Sequence, residues 1–213
     1  MTEFMRARSA EQKCQRVEQI KGAAATLFER LPYHQITLTT IAQELGWSRA
    51  NLYKYVSTKE EIFLLIMADL RDAYAADLLG TLEGVAGAPH EEQAARWAEA
   101  CCRHERYFRY ADLLFTVIET NVSVEALVDF KRSYYASLAE TNERLGRALG
   151  IDAEKVEQLT TTVYHHAVGL AGSCLNNPLV REAVTRLGVT PQTIDFAAQM
   201  ENFIDMCLAW YQR

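Results

Sequence analysis

The chain has 213 residues, 49% of them hydrophobic, which is enough for one large or two small domains with a proper core. Its 22 Lys/Arg against 28 Asp/Glu leave a net charge of −6; no run nears the ~20 apolar residues of a membrane span, and the first residues do not read as a signal peptide. The five cysteines (Cys14, Cys101, Cys102, Cys174, Cys207) are an odd number without zinc-finger spacing, which argues for reduced thiols in a cytoplasmic protein.

Charge is unevenly spread. Residues 1–60 hold nine Lys/Arg and six acids, a balance of +3, so residues 61–213 hold −9. A basic head on an acidic body confines any nucleic-acid affinity to one end. No segment alternates with period two and prolines are four, so the fold class is all-α: an N-terminal three-helix helix-turn-helix domain followed by a larger helical bundle.

The first helix is expected over residues 12–30, with Ile20, Ala23, Ala24, Leu27 and Phe28 as its apolar face. Residues 37–63, TLTTIAQELGWSRANLYKYVSTKEEIF, then read as two short helices with a tight turn at Gly46 and a third opening at Ser57 or Thr58. Thr37 is a good N-cap, and Leu38, Ile41, Ala42 and Leu45 recur at helical spacing. Ser48 caps a second helix expected over residues 49–55, in which Leu52 and Val56 face inward.

The polar residues of this segment suit DNA. The expected contact set is Thr37, Thr39, Ser48, Arg49, Asn51, Tyr53, Lys54, Tyr55 and Lys59. Arg49, at the helix start, can donate a bidentate pair to guanine O6 and N7. Tyrosine hydroxyls and Lys54 can reach phosphates, and Lys59 in the next first turn is expected to seat one. Any small helical hairpin holds a cap, a glycine and some aromatics; their joint order and spacing favour the DNA reading.

Here the chain resembles the TetR (tetracycline-repressor) family of bacterial transcription regulators. Thr37, Ile41, Ala42, Gly46, Ser48, Leu52, Tyr53, Tyr55, Thr58, Lys59 and Ile62 match the family pattern, within a resemblance that covers roughly residues 12–66. Val56 departs from it, standing where the family usually has phenylalanine, a change expected to tune packing rather than abolish function. The resemblance implies a homodimer on a palindromic double-stranded operator, released by a small-molecule effector, with residues 1–57 binding DNA and 58–213 binding effector and partner. Repression relieved by ligand is the family's usual mode.

Beyond that stretch a linking helix is expected from residue 58 to about 79, broken after Gly84–Pro89. Helices follow over residues 90–110, 111–120, 123–149 and 153–176; Asn176-Asn177-Pro178 breaks the chain, and Thr190 with Pro191 opens the last helix, which reaches Tyr211. Trp97, Cys101, His104 and Phe108 share one stripe, and with Phe115, Tyr134 and His166 they make the candidate effector pocket: aromatic walls with a few polar tips. The alternative for each is an ordinary core position. Val163, Ala167, Leu170, Ala171 and Cys174, with Ile194, Phe203 and Leu208, form the candidate dimer face; the alternative is that they complete the core of one chain.

Catalysis has little support, and no cofactor or metal is expected. His165 and His166 diverge by about 100° on a helix, and Cys101 with His104 lacks a third orienting residue. No metalloprotease, P-loop or nucleophile-elbow motif occurs. Two rival readings stay open: a regulator whose C-terminal domain binds a protein partner, and an all-α enzyme or carrier with an incidental helix-turn-helix.

Overall fold

The computed structural model describes the backbone of residues 2–174, 178–190 and 195–213, and side chains within 11–172, 179–190 and 195–213. The break expected at residues 176–177, the caps at Pro191, and the dimer residues Cys174 and Ile194 lie outside the described side chains. Among the described residues every regular element is helical. The chain forms two compact units, residues 1–69 with 114–131, and residues 70–113 with 132–213.

The first unit opens with α1, Thr2–Arg30, ten residues longer at its start than its periodic apolar face suggests. Ile20, Ala23, Ala24 and Leu27 are buried, at the three- and four-residue spacing of one helix face. After a 3₁₀ turn at Tyr33–Gln35 come α2, Leu38–Glu44, and α3, Arg49–Leu52. A long helix, α4, then runs Lys59–Glu83 and gives Ile62, Phe63, Ile66 and Met67 to this core. Phe28 and Tyr33 meet Phe63 edge-on at 5.6 and 4.9 Å. Lys21 of α1 is also buried and is paired to Glu18 and Asp69. Burial opposes its charge, but those two carboxylates outweigh that and raise its pKa.

The second unit is a bundle in which α10, Phe196–Tyr211, packs on α5, His90–Arg103, and on α8, Ala153–Cys174. Between them in sequence lie α6, Glu105–Leu113, which packs on α8, and α7, Val124–Leu149; α9 spans Pro178–Arg186. Helix α5 buries Gln93, Ala94, Trp97, Ala98, Ala100 and Cys101, and carries Glu91 and Glu92 in its first turn and Arg103 in its last. That polarity complements the helix dipole. Phe196, Met200, Ile204 and Leu208 fall four apart on the buried face of α10, whose first turn Asp195 caps by accepting from Ala198 N at 3.1 Å.

Three further expected elements differ from the structure. The single helix over 90–110 is two, because His104 leaves helical geometry at φ −114°, ψ 26°. The helix expected over 111–120 is the end of α6 continued by one π-helical turn, Leu114–Ile118. The recognition helix is a single turn, and Tyr53, Lys54 and Tyr55 follow it in tight turns rather than in helix.

Candidate DNA interface

Local hydrogen bonds fix the segment from Thr37 to Lys59. Thr37 and Thr40 form a reciprocal capping box: Thr37 Oγ1 accepts from Thr40 N at 3.1 Å, and Thr40 Oγ1 accepts from Thr37 N at 2.9 Å. At the other end of α2, Gly46 has φ +65°, which only glycine adopts cheaply. Its N–H donates to Gln43 O at 3.0 Å and that of Trp47 to Ala42 O at 2.8 Å, a Schellman closure. Ser48 Oγ accepts from Asn51 N at 3.2 Å and starts α3. Leu52 and Val56 are buried, so valine fills the inward position that the family gives to phenylalanine.

The outward face follows from those restraints. Thr37, Ser48, Arg49, Tyr53 and Lys54 are exposed, while Thr39, Asn51 and Tyr55 are half-buried. Arg49 and Tyr53, one turn apart, come together: Arg49 Nη2 donates to the Tyr53 hydroxyl at 3.4 Å, and the guanidinium lies 6.0 Å from the ring centre. Arg30 braces α1 to α2 through Glu44 at 2.8 Å.

Lys59 departs from expectation. Its ammonium donates to the carbonyls of Tyr33 and Ile36 at 3.0 and 2.9 Å and sits 4.0 Å from the Tyr33 ring centre. Burial lowers its pKa, which the nearby Glu60 carboxylate opposes. It is a strut holding the turn before α2 rather than an open phosphate seat. The cap of α4 is Thr58, which accepts from Glu61 N at 3.1 Å, while the Glu61 carboxylate accepts from Ser57 N at 2.8 Å.

Sequence reading missed two residues here. Trp47, directly after the turn glycine, packs 6.0 Å from Tyr55, and Arg16 of α1 lies 5.1 Å over the Trp47 ring. An aromatic next to a Schellman glycine was the available signal.

In the second unit the structure gathers part of the expected pocket around Tyr74 of α4, a residue the sequence reading did not single out. Trp97 Nε1 donates to the Tyr74 hydroxyl at 3.0 Å, and Cys101 Sγ is 3.6 Å from it. Phe108, Tyr107 and His104 lie with ring centres 5.2, 5.3 and 5.8 Å from Tyr74. Burial pushes the Cys101 thiol up to about 12, so it is an inert thiol at neutral pH. His104 Nε2 is 3.1 Å from Asp77 Oδ2, and Arg103 Nε donates to that oxygen at 2.9 Å. Those contacts, the Arg103 bond first, hold the Asp77 carboxyl below the usual range.

Tyr134 borders this cluster beside Tyr107, whose hydroxyl is pushed up by burial and then by Tyr164 and Tyr134. His166 stacks on Phe203 at 3.7 Å, its Nε2 is buried with no partner among the described residues, and burial lowers its pKa. Phe115 belongs to the first unit and is 46% exposed. Trp97, Cys101 and Phe108 are at most 1% exposed. A groove of about 470 Å³ opens between α4 and α7, over Arg71, Ala75, Ser133 and Ser137. Arg71 is buried there and donates to Asp72 at 2.9 Å and to Ser133 at 3.3 Å.

The candidate dimer face needs correction too. Val163, Ala167, Ala171 and Leu208 are at most 1% exposed in a single chain, so they fill its own core and leave no surface for a partner. Leu170 and Phe203 are half-buried. The faces of these helices that stay exposed carry Thr162, His165 and Gly169 on α8, and Ala198, Asn202, Met206 and Trp210 on α10. The last four sit two residues from each buried position, hence on the opposite side, and Met206 and Trp210 are 63% and 67% exposed.

Residues 20–66 match the family described as bacterial regulatory proteins, tetR family, and residues 66–211 match the tetracyclin repressor-like, C-terminal domain. The HTH-type transcriptional regulator HbdR of Aromatoleum sp. (strain CIB) is 30% identical over 84 residues, which span 39% of this chain and only 37% of HbdR. Among solved structures, the fatty acid degradation regulator FadR of Bacillus halodurans superposes with a TM-score of 0.58 at 12% identity, over 90% of this chain and 94% of that one. The TetR family transcriptional regulator PfmR of Thermus thermophilus gives 0.53 at 19% identity, over 89% and 97%. These likenesses are of fold. With both family segments matched end to end and the capped helix-turn-helix in place, the chain belongs to the TetR family of DNA-binding transcriptional regulators.

Proposed function

We propose that this protein is a cytoplasmic repressor that binds a palindromic operator as a homodimer and is released by a small effector. The observation that carries the reading is the pairing of Arg49, exposed at the start of α3 next to the Ser48 cap, with Tyr53, exposed just past the helix end. The guanidinium is oriented by the phenol yet keeps N–H groups for a guanine edge, while Lys54 and Tyr53 reach phosphates. Functionally, residues 1–57 read DNA and residues 58–213 take effector and partner.

Two recognition helices must lie roughly 34–36 Å apart to read two half-sites. The exposed stripe of α10, with Met206 and Trp210, and the Thr162–His165–Gly169 edge of α8 supply a self-complementary surface for a second copy. Effector seated in the groove over Arg71 and Ser133, or among the polar tips around Tyr74, bears on α4, the helix that opens at Lys59 beside the recognition segment. A ligand preferring one arrangement of α4 shifts the dimer population away from the DNA-competent spacing.

One observation favours a second reading, in which the C-terminal domain answers to a protein partner: the rings around Tyr74 pack on each other, with centres 5.2–5.3 Å apart. Fluorescence anisotropy on DNA from the gene's own upstream region and on scrambled DNA, at several salt concentrations, tests the main reading. Specific, salt-sensitive binding of a dimer is expected, with release on screening small molecules. Failure of a genome-wide fragment selection to enrich any site overturns it. Enrichment with release only by a protein factor moves the case to the second reading.

A further inference from the structure

A second cationic surface lies beside the recognition segment, on a helix the DNA reading above does not use. Between α1 and the turns after α3 is a groove of about 610 Å³, lined by Lys13, Arg16, Lys54, Tyr55 and three glutamines. No carboxylate is among those lining residues. Lys13 and Lys54 are exposed, and neither makes an ion pair among the described residues.

Arg16 is the organised member. Its Nη1 donates to Gln19 Oε1 at 2.9 Å, and its guanidinium lies 5.1 Å over Trp47, which in turn packs 6.0 Å from Tyr55. The guanidinium therefore rests against the turn between α2 and α3. The remaining N–H groups are left for an outside acceptor. Three cations, three carboxamides and a phenol make a surface of donors, and the partner it complements is a chain of singly charged, oxygen-rich groups. Lys54 belongs both to this groove and to the exposed face of the recognition segment, so the two surfaces are continuous.

We propose that residues 12–19 of α1 form a phosphate-binding arm of the DNA interface. The arm seats the sugar-phosphate backbone that flanks the bases read from α3, and Trp47 holds Arg16 in place for it. The proposal rests on the DNA reading above. It adds affinity and register without sequence information, because phosphates look alike beside every base pair.

The test compares Lys13→Gln, Arg16→Gln and Lys155→Gln with the unmodified protein, on the selected operator and on scrambled DNA across a salt series. Lys155 is exposed on α8 and serves as the charge-matched control. For Lys13→Gln, the slope of log Kobs against log[salt] should become shallower by about 0.9 per protomer. Both DNAs should weaken by the same factor, leaving their ratio unchanged, and Lys155→Gln should do nothing. Arg16→Gln should act alike, with its melting curve checked because Arg16 packs on Trp47; Lys13 carries no such packing and keeps the test decisive. Unmodified protein that binds specifically while Lys13→Gln keeps its slope overturns the arm and leaves the DNA reading standing. A Lys13→Gln change in the operator-to-scrambled ratio also overturns it, since that is base reading. An unmodified protein that binds no DNA removes the arm together with the reading it rests on.

Discussion

The DNA-reading unit and the C-terminal unit use tyrosine in opposite ways. In the first, arginine and tyrosine at α3 are exposed, and what holds them is backbone: a capping box, a Schellman turn and a serine cap. In the second, tyrosine, tryptophan, cysteine and phenylalanine are buried around Tyr74, and what holds them is each other. Substitutions in the first unit should therefore be read in recognition, and those in the second in stability.

The sharpest contrast is Trp97→Ala. Trp97 is 1% exposed and donates to Tyr74, so truncation removes a large buried ring and strands a hydroxyl. A loss of about 3–5 kcal/mol in urea unfolding is expected, with the operator preference of the folded fraction unchanged. A loss under about 1 kcal/mol would mean that the region collapses or hydrates easily, as a hollow effector site would.

Lys59→Ala tests the exception inside the first unit, a cation that belongs to the scaffold. Hydrogen bonds to a charged group contribute about 1.5–3 kcal/mol, and Lys59 makes two, to Tyr33 and Ile36. The variant should melt earlier while the salt slope of the folded protein stays put. A slope shallower by about 0.9 with unchanged melting would return Lys59 to the phosphate contacts. Arg49→Ala comes next and is its mirror image. Discrimination between operator and scrambled DNA should fall by about 1–3 kcal/mol, with no change in melting temperature, because the side chain is exposed and bonds only Tyr53 among the described residues. An unchanged ratio would remove Arg49 from base reading.

The same contrast explains what was legible in the sequence. Thr37, Gly46 and Ser48 act on backbone groups three residues away, so their roles can be read from the order of residues alone. The end of α3 at Leu52 and the break at His104 carry no glycine or proline, and there helical periodicity ran on past the true boundary. Tyr74 sits in an alanine-rich stretch and gains its importance from Trp97 and Cys101, more than twenty residues away. Val163, Ala167 and Leu208 were legible as buried. Periodicity says that a face is covered, but not whether its own chain or a partner covers it.

The smallest effect, at the surface of the second unit, separates charge from packing. Asp77 accepts from Arg103 at 2.9 Å and faces His104 Nε2 at 3.1 Å, and these contacts depress its carboxyl. A folded pKa below the unfolded one stabilises the protein above the unfolded value, near 3.8, and that stability is lost as pH falls through the folded value. Asp77 and Arg103 are partly exposed, so water screens the pair. Asp77→Asn should cost about 0.2–1 kcal/mol at neutral pH, shrinking with added salt. The difference from the unmodified protein should close when both are melted in acid below the depressed pKa, where the aspartate is protonated too. If the deficit persisted there, the carboxylate's role would be steric, and this edge of the unit would follow the packing rule that governs Trp97 and Tyr74.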